Sequence, residues 1–347
     1  MFKYSLSAIL AVFAISCKNQ SANTSQSTQT STADSTLFKS AQSIFKALPE
    51  RADNPENTIT DAKIALGKSL FYDTRLSLLG NNSCNSCHNI ETYGVDNLPT
   101  SKGDKGGLGA RNSPTVFNAA LHAMQFWDGR AKDVEEQAGG PILNPVEMAM
   151  PSEAEVVKRL SSVPEYREQF KTAFPEDKNP ITYKNLEKAI GAFERTLLTP
   201  SPFDEYLKGN LSALNSKELA GLQDFMQAGC ITCHSGVAVG GSMFQKFGMT
   251  VDYRTLTKSK ANDEGKKQIT KKEEDKDFFK VASLRNVAKT APYFHDGSVT
   301  NLEDAVKIMG KAQLNKDLSA EEVNNIVAFL HSLTGKIPTT AFKTNNN

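Results

Sequence analysis

Cys84-Asn85-Ser86-Cys87-His88 and Cys230-Ile231-Thr232-Cys233-His234 are the stretches on which the reading of this chain turns. In a Cys-x-x-Cys-His run, two thiols can add to the vinyl groups of one haem, and the His that follows is placed as proximal iron ligand. The chain has 347 residues and five cysteines, so these four leave only Cys17. No thiol remains for a structural disulfide. A pair of zinc sites is the competing explanation, but such a site normally takes about four Cys or His ligands. Each cluster offers three, with His122, His295 and His331 left to share.

Cys84 and Cys230 lie 146 residues apart, which suggests one haem unit around each, with a boundary near Pro200-Ser201-Pro202. This gives a first unit over 37–200 and a second over 201–336. The signals between them are helical. Asp61 can cap a helix to about Phe71, and Ser152 with Glu155 makes a capping box. Leu186, Ile190, Phe193 and Leu197 form one stripe. Ser216 starts a helix that delivers the second motif, and Asn301 caps one expected to stop near Met309 at Gly310. Ser319 with Glu322 opens the last helix, ended by Gly335. The fold class is therefore mainly α, with long irregular stretches such as Gly103–Pro114 and Gly236–Gly248. The charged run Lys258–Lys280 reads as a solvated loop, or as a docking surface for a redox partner.

At the N-terminus, Lys3, the apolar run Leu6–Ile15 and Ser16-Cys17 have the order of an export signal over residues 1–16. The apolar run is too short to span a bilayer. Cys17 after Ala14-Ile15-Ser16 resembles a bacterial lipoprotein processing site, so lipidation at Cys17 is expected, with a periplasmic or cell-envelope location and membrane contact only through that anchor. Residues 17–36 are polar and read as a flexible tether. Lys+Arg 40 against Asp+Glu 39 leaves no basic excess for nucleic acid.

Three further segments carry a resemblance: Gln125-Phe126-Trp127-Asp128-Gly129-Arg130, Asn144-Pro145-Val146-Glu147-Met148 and Pro292-Tyr293-Phe294-His295-Asp296-Gly297. Together with the two haem motifs they resemble the bacterial di-haem cytochrome c peroxidases, in order, over roughly Ala62 to Phe342. The resemblance implies two cytochrome c-like domains, with 337–347 packed back on the first. It implies that His88 ligates a peroxidatic haem, with Glu147 as catalytic carboxylate and Gln137 as the neighbouring amide. A carboxylate can carry a proton between the peroxide oxygens, and an amide can orient them. Trp127, the only Trp, would lie on the electron route between the haems. His234 would hold an electron-transfer haem, with Met309 opposite. Met243 and Met249 also follow the second motif, but Met309 lies fourteen residues after His295, where the family places the ligand. His295 is expected beside the haem rather than on the iron. A calcium ion is implied between the domains, held by the Asn112 side chain and the Thr290 and Pro292 carbonyls. The implied substrate is hydrogen peroxide, the implied donor a small cytochrome c or a copper protein (a cupredoxin), and the implied assembly a homodimer.

One position departs from the family. Many members carry a His sixteen residues after the first proximal His, where it caps the peroxidatic iron until the other haem is reduced; here that residue is Asp104. Carboxylate substitutes poorly for imidazole, so the first haem is expected to be open even when oxidised. His122 is an alternative cap. Two other functions compete: a relative that oxidises a protein or organic substrate, which would carry Tyr in place of the axial Met, and a plain di-haem electron carrier.

Overall fold

The computed structural model describes residues 1–3 and 35–343; most of the signal segment, Cys17 and the tether up to residue 34 lie outside the described residues, as do 344–347. Helix α1 covers residues 35–44. The first unit then contains α2 (Asp61–Phe71), the single-turn α3 (Cys84–Cys87), α4 (Val134–Leu143), α5 (Glu153–Ser161), α6 (Pro164–Ala173) and α7 (Tyr183–Glu194). The second contains α8 (Pro202–Leu207), α9 (Ser216–Ala228), the short α10 (Tyr253–Thr257) and α11 (Lys267–Thr270), α12 (Leu302–Leu314) and α13 (Ala320–Ser332). The described strands, β1 (Phe244–Lys246) and β2 (Phe278–Lys280), pair antiparallel with Phe244 opposite Lys280.

Each haem motif follows a helix that crosses a partner at a glycine. In the first unit α2 lies on α7, and a Cβ at Gly67 would sit 1.8 Å from the Ala189 carbonyl oxygen. In the second, α9 lies on α13, and a Cβ at Gly221 would sit 1.8 Å from the Asn325 carbonyl oxygen. Only glycine permits backbones to approach this closely. Leu66, Leu70, Ile190 and Phe193 close the first core; Leu222, Phe225, Ile326 and Phe329 close the second.

The ends of the chain cross over. Ala41 and Phe45 pack in the second core beside Phe203 and Tyr206, so residues 37–48 join the second unit, although linear order assigned them to the first. Ala341 and Phe342 pack in the first core, and Lys68 and Tyr72 donate to the Thr340 and Ala341 carbonyls. At the boundary the Thr199 hydroxyl accepts hydrogen bonds of 2.8 Å from Asn118 and from Asn286, one from each unit.

Caps follow the sequence with small shifts. Thr60, not Asp61, caps α2, whereas α9 begins at Ser216 as anticipated, with Asn215 as its cap. Ser152, Asn301 and Ser319 cap α5, α12 and α13 as anticipated. Helix α12 does not stop at Gly310 but runs to Leu314. The glycine lets the Leu318 side chain close against the helix, and the buried Ala312 beyond it holds the last turn. The charged run is not one solvated loop. It folds into α11 and β2, with ion pairs Lys266–Asp275 and Lys267–Glu264 inside it and Asp263 tied to Arg111 of the first unit.

Asp204 and Arg285 are both wholly buried and joined by two hydrogen bonds of 2.9 Å. Asp204 also accepts from the Leu48 N–H, and Arg285 donates to the Lys46 carbonyl, so the pair fastens the crossing N-terminal segment. Burial would raise the Asp204 pKa, but the Arg285 charge and these hydrogen bonds outweigh it and hold the carboxyl below its usual value. Asp204→Ala strands a buried guanidinium and should cost about 3–5 kcal/mol in denaturant unfolding. A carboxyl with a lowered folded pKa stabilises above its unfolded value, so the pair's contribution should be present above about pH 4 and lost as pH falls through the folded pKa.

Candidate haem and peroxide sites

Helix α3 is one turn long. The Ser83 N–H donates to the Ser86 hydroxyl at 3.0 Å, and the turn sets Cys84 and Cys87 three residues apart on one face with His88 at its end. His88 Nδ1 lies 3.0 Å from the Pro114 carbonyl oxygen; it donates there and leaves the Nε2 lone pair for a metal. Burial lowers the His88 pKa, against a raising influence from Asp96, so the imidazole is neutral and fit to ligate. Both thiols are unpaired, and burial pushes the pKa of each up.

At the second motif Gly229, with φ of 96°, turns the chain out of α9 into the 3₁₀ turn Cys230–Thr232. Cys230, Cys233, His234 and Met309 line one cleft with Phe225 and Leu330, with a cavity volume of about 200 Å³. Burial drives the His234 pKa down to about 4, which again leaves a neutral imidazole. Met243 and Met249 are 37% and 56% exposed and do not line the cleft, whereas Met309 does. Apolar walls, free thiols, a neutral imidazole and a thioether in one cavity fit a covalent haem with His and Met available to its iron.

Glu147 lies beside the first motif. Its charge helps raise the Cys87 pKa, after burial and Asp96. Its Oε1 accepts from Asn144 Nδ2 at 2.8 Å. Burial raises the Glu147 pKa, while the Arg130 charge and the Asn144 hydrogen bond pull it down. Arg130 itself lies 3.4 Å from the Phe126 ring centroid and is fixed on Asp128. The segment after α4 folds back along the helix: the Met148 N–H donates to the Pro141 carbonyl and the Ala149 N–H to the Asn144 carbonyl. Gln137 and Asn144 are seven residues apart, so they share one face of α4 and its end.

Asp104 is 4% exposed, and its carboxylate accepts from the Leu79 N–H at 2.6 Å and the Asn81 N–H at 2.9 Å. Its own N–H donates to the Glu147 carbonyl at 2.7 Å. Burial would raise the Asp104 pKa, but these backbone donors hold it down, so the side chain is a loop clamp behind Glu147. His122, the alternative cap, accepts from Lys280 Nζ through Nδ1 at 3.0 Å, while its Nε2 is buried with no hydrogen-bond partner among the described residues.

Trp127 donates from Nε1 to the Asn112 carbonyl at 2.9 Å and lines both the second cleft and a neighbouring cavity between the units. His295, 2% exposed, stacks on Phe279 at 4.2 Å and meets Trp127 edge-on at 6.4 Å. It lines the second cleft as a neighbour. Asn112, Thr290 and Pro292, distant in sequence, share the cavity between the units. That cavity offers neutral oxygen donors of the kind calcium takes.

Two residues with a bearing on these sites escaped the sequence reading. Asn144 stood in a quoted motif without a role; its spacing of three before Glu147 was the available signal. Lys280 closes a charged run and looked solvated, yet it is 7% exposed. Its place after Phe278-Phe279 was the one hint of burial.

A family model described as di-haem cytochrome c peroxidase matches residues 61–212, and a cytochrome c model matches 219–334. The chain is 49% identical over 304 residues to the cytochrome c551 peroxidase of Pseudomonas aeruginosa, covering 87% of each protein. It is 48% identical over 298 residues to the cytochrome c551 peroxidase of Nitrosomonas europaea, covering 86% of this chain and 84% of that protein. A crystal structure of a MauG-like protein associated with microbial copper homeostasis superposes with a TM-score of 0.74 at 31% identity, covering 84% of this chain and 94% of the other. With about half of its aligned residues shared with such enzymes and a haem motif in each helical unit, this chain belongs to the di-haem cytochrome c peroxidase family, as a peroxidase of two c-type haems.

Proposed function

We propose that the enzyme reduces one hydrogen peroxide to two water molecules, consuming two electrons and two protons, with the electrons drawn from a small cytochrome c or a copper protein. The observation that carries this reading is an asymmetry. The cleft at the second Cys pair sets Met309 with His234, whereas the first Cys pair has a half-buried, hydrogen-bonded carboxyl beside it. When bound, the haems supply the redox-active iron through which electrons reach the peroxide. His88 and His234 would each hold one haem iron, and Met309 would lend its thioether to the second; such a ligand raises potential and suits the haem that receives electrons. Glu147 takes a proton from one peroxide oxygen and returns it to the other, which leaves as water. Asn144 fixes the carboxyl, Gln137 orients the peroxide, and Trp127 carries electrons across the wall between the units.

Asn112, Thr290 and Pro292 would hold calcium between the units, where it would add positive charge and stiffness rather than redox chemistry; their convergence on one cavity supports this. Export to the periplasm, lipid attachment at Cys17 and a homodimer rest on the sequence pattern and on family likeness. Among the described residues no helix is long and apolar enough to cross a membrane.

Turnover with a reduced cytochrome donor tests the central assignment. Glu147→Gln should keep both haems and lose about 10²–10⁴-fold in rate; negligible turnover by the unaltered enzyme, with no effect of the substitution, would instead mark an electron carrier. The working form of Glu147 is the carboxylate. Its raised pKa therefore predicts that activity falls with decreasing pH through a midpoint above the ordinary value of about 4.3. Asn144→Leu removes a hydrogen bond that favours the carboxylate, so the midpoint in a pH–rate profile should move higher still. The engagement of Asp104 by the Leu79 and Asn81 amides supports a first haem open in the oxidised state. Its EPR spectrum should contain a high-spin signal; two low-spin haems alone would reject the open state.

A further inference from the structure

Lys280 stands in the wall shared by the second haem cleft and the cavity between the units, and it lines both. It is the last residue of β2, fixed by its N–H donating to the Trp127 carbonyl at 2.8 Å. The side chain is 7% exposed. Among the described residues its ammonium has one hydrogen-bond partner, His122 Nδ1 at 3.0 Å. His122 is half-buried beside this charge; desolvation first and Lys280 second keep it neutral. It therefore accepts one hydrogen bond and offsets no charge. Its ring packs against Gly241, where a Cβ would come within 2.5 Å of Cδ2, so the imidazole is wedged in place as a holder for Nζ.

Neither cavity lining includes an aspartate or a glutamate. A cation held at Asn112 in the same cavity would add to the positive charge rather than relieve it. A lysine is almost never buried without an anionic partner, because the loss of hydration is uncompensated. Two of its three N–H donors remain for an acceptor that enters the cleft. Burial lowers the Lys280 pKa to about 8, which leaves the ammonium form predominant at neutral pH.

We infer that Lys280, held by His122, binds a propionate carboxylate of the haem in the second cleft and thereby sets that haem's orientation and potential. This rests on the two-haem reading above. The carboxylates of a haem are the anions its own cleft must accommodate, and Lys280 shares that cleft with Cys230, Cys233 and His234. A fixed positive charge there favours the reduced, more negative haem.

The test uses the full-length, haem-loaded protein. A haem stoichiometry of two per chain and a methionine-to-iron absorption band in the unaltered protein establish the underlying reading; their absence removes that reading rather than this one. In spectroelectrochemical titration, Lys280→Met should lower the potential of the His–Met haem by at least the 59 mV that corresponds to a tenfold change in the reduced-to-oxidised ratio. Lys280→Arg keeps the charge and should stay close to the unaltered value. No shift in the methionine variant, or an equal shift in the arginine one, overturns the proposal. If the variants fail to mature, ¹⁵N-lysine labelling of the unaltered holoprotein decides it: one ammonium resonance displaced by the haem iron is expected, and the absence of any displaced lysine signal overturns it.

Discussion

A charge that enters an apolar cleft loses its water, and that penalty orders the rest of the molecule. At the two haem motifs it keeps both proximal histidines neutral, which is the form that ligates a metal. At Glu147 it raises the carboxyl toward the range useful for proton transfer, with Asn144 and Arg130 limiting the rise. Where a charge must be permanent, the fold supplies a full set of partners. Asp204 and Arg285 satisfy each other and bind backbone at Lys46, Leu48 and Val237. Lys280 departs from that pattern, with a neutral histidine as its partner.

The same constraint governs the two helix crossings. A haem-sized apolar cleft needs rigid walls; α9 and α13, packed backbone to backbone at Gly221, supply Phe225, Ile326 and Leu330 to the second cleft, and α2 and α7 pack in the same way at Gly67. In the second unit the crossing helix runs directly into the Cys pair, so those thiols and the imidazole emerge from a fixed support. Between the units, Thr199 ties Asn118 to Asn286, and Arg111 binds both Asp128 and Asp263. These contacts hold Trp127 in a wall common to both cavities. The exchanged ends of the chain add to this, since each core is completed by residues from the far end of the sequence.

Much of this was legible before folding. Cys-x-x-Cys-His fixes cofactor chemistry because thioether formation and ligation are local, and the helix caps were readable because a cap is a contact over three residues. Errors arose where a distant partner overrode the local signal. Gly310 looked like a stop, but Leu318 packs on it and the helix continues. Residues 37–48 looked like the start of the first unit, but Phe45 finds its core beside Phe203. Asp104 was visible as a departure from the family, yet its use as a clamp depends on amides at 79 and 81.

The amino-acid order by itself determined the two covalent cofactor sites, the helical class and the ligand candidates on each side, because each rests on chemistry within a few residues. Only the tertiary structure decided which methionine shares a cleft with His234, what Asp104 and His122 do, and that Lys280 is a buried cation between two cavities. Those outcomes depend on solvent exclusion, and burial is a property of surfaces brought together from distant parts of the chain.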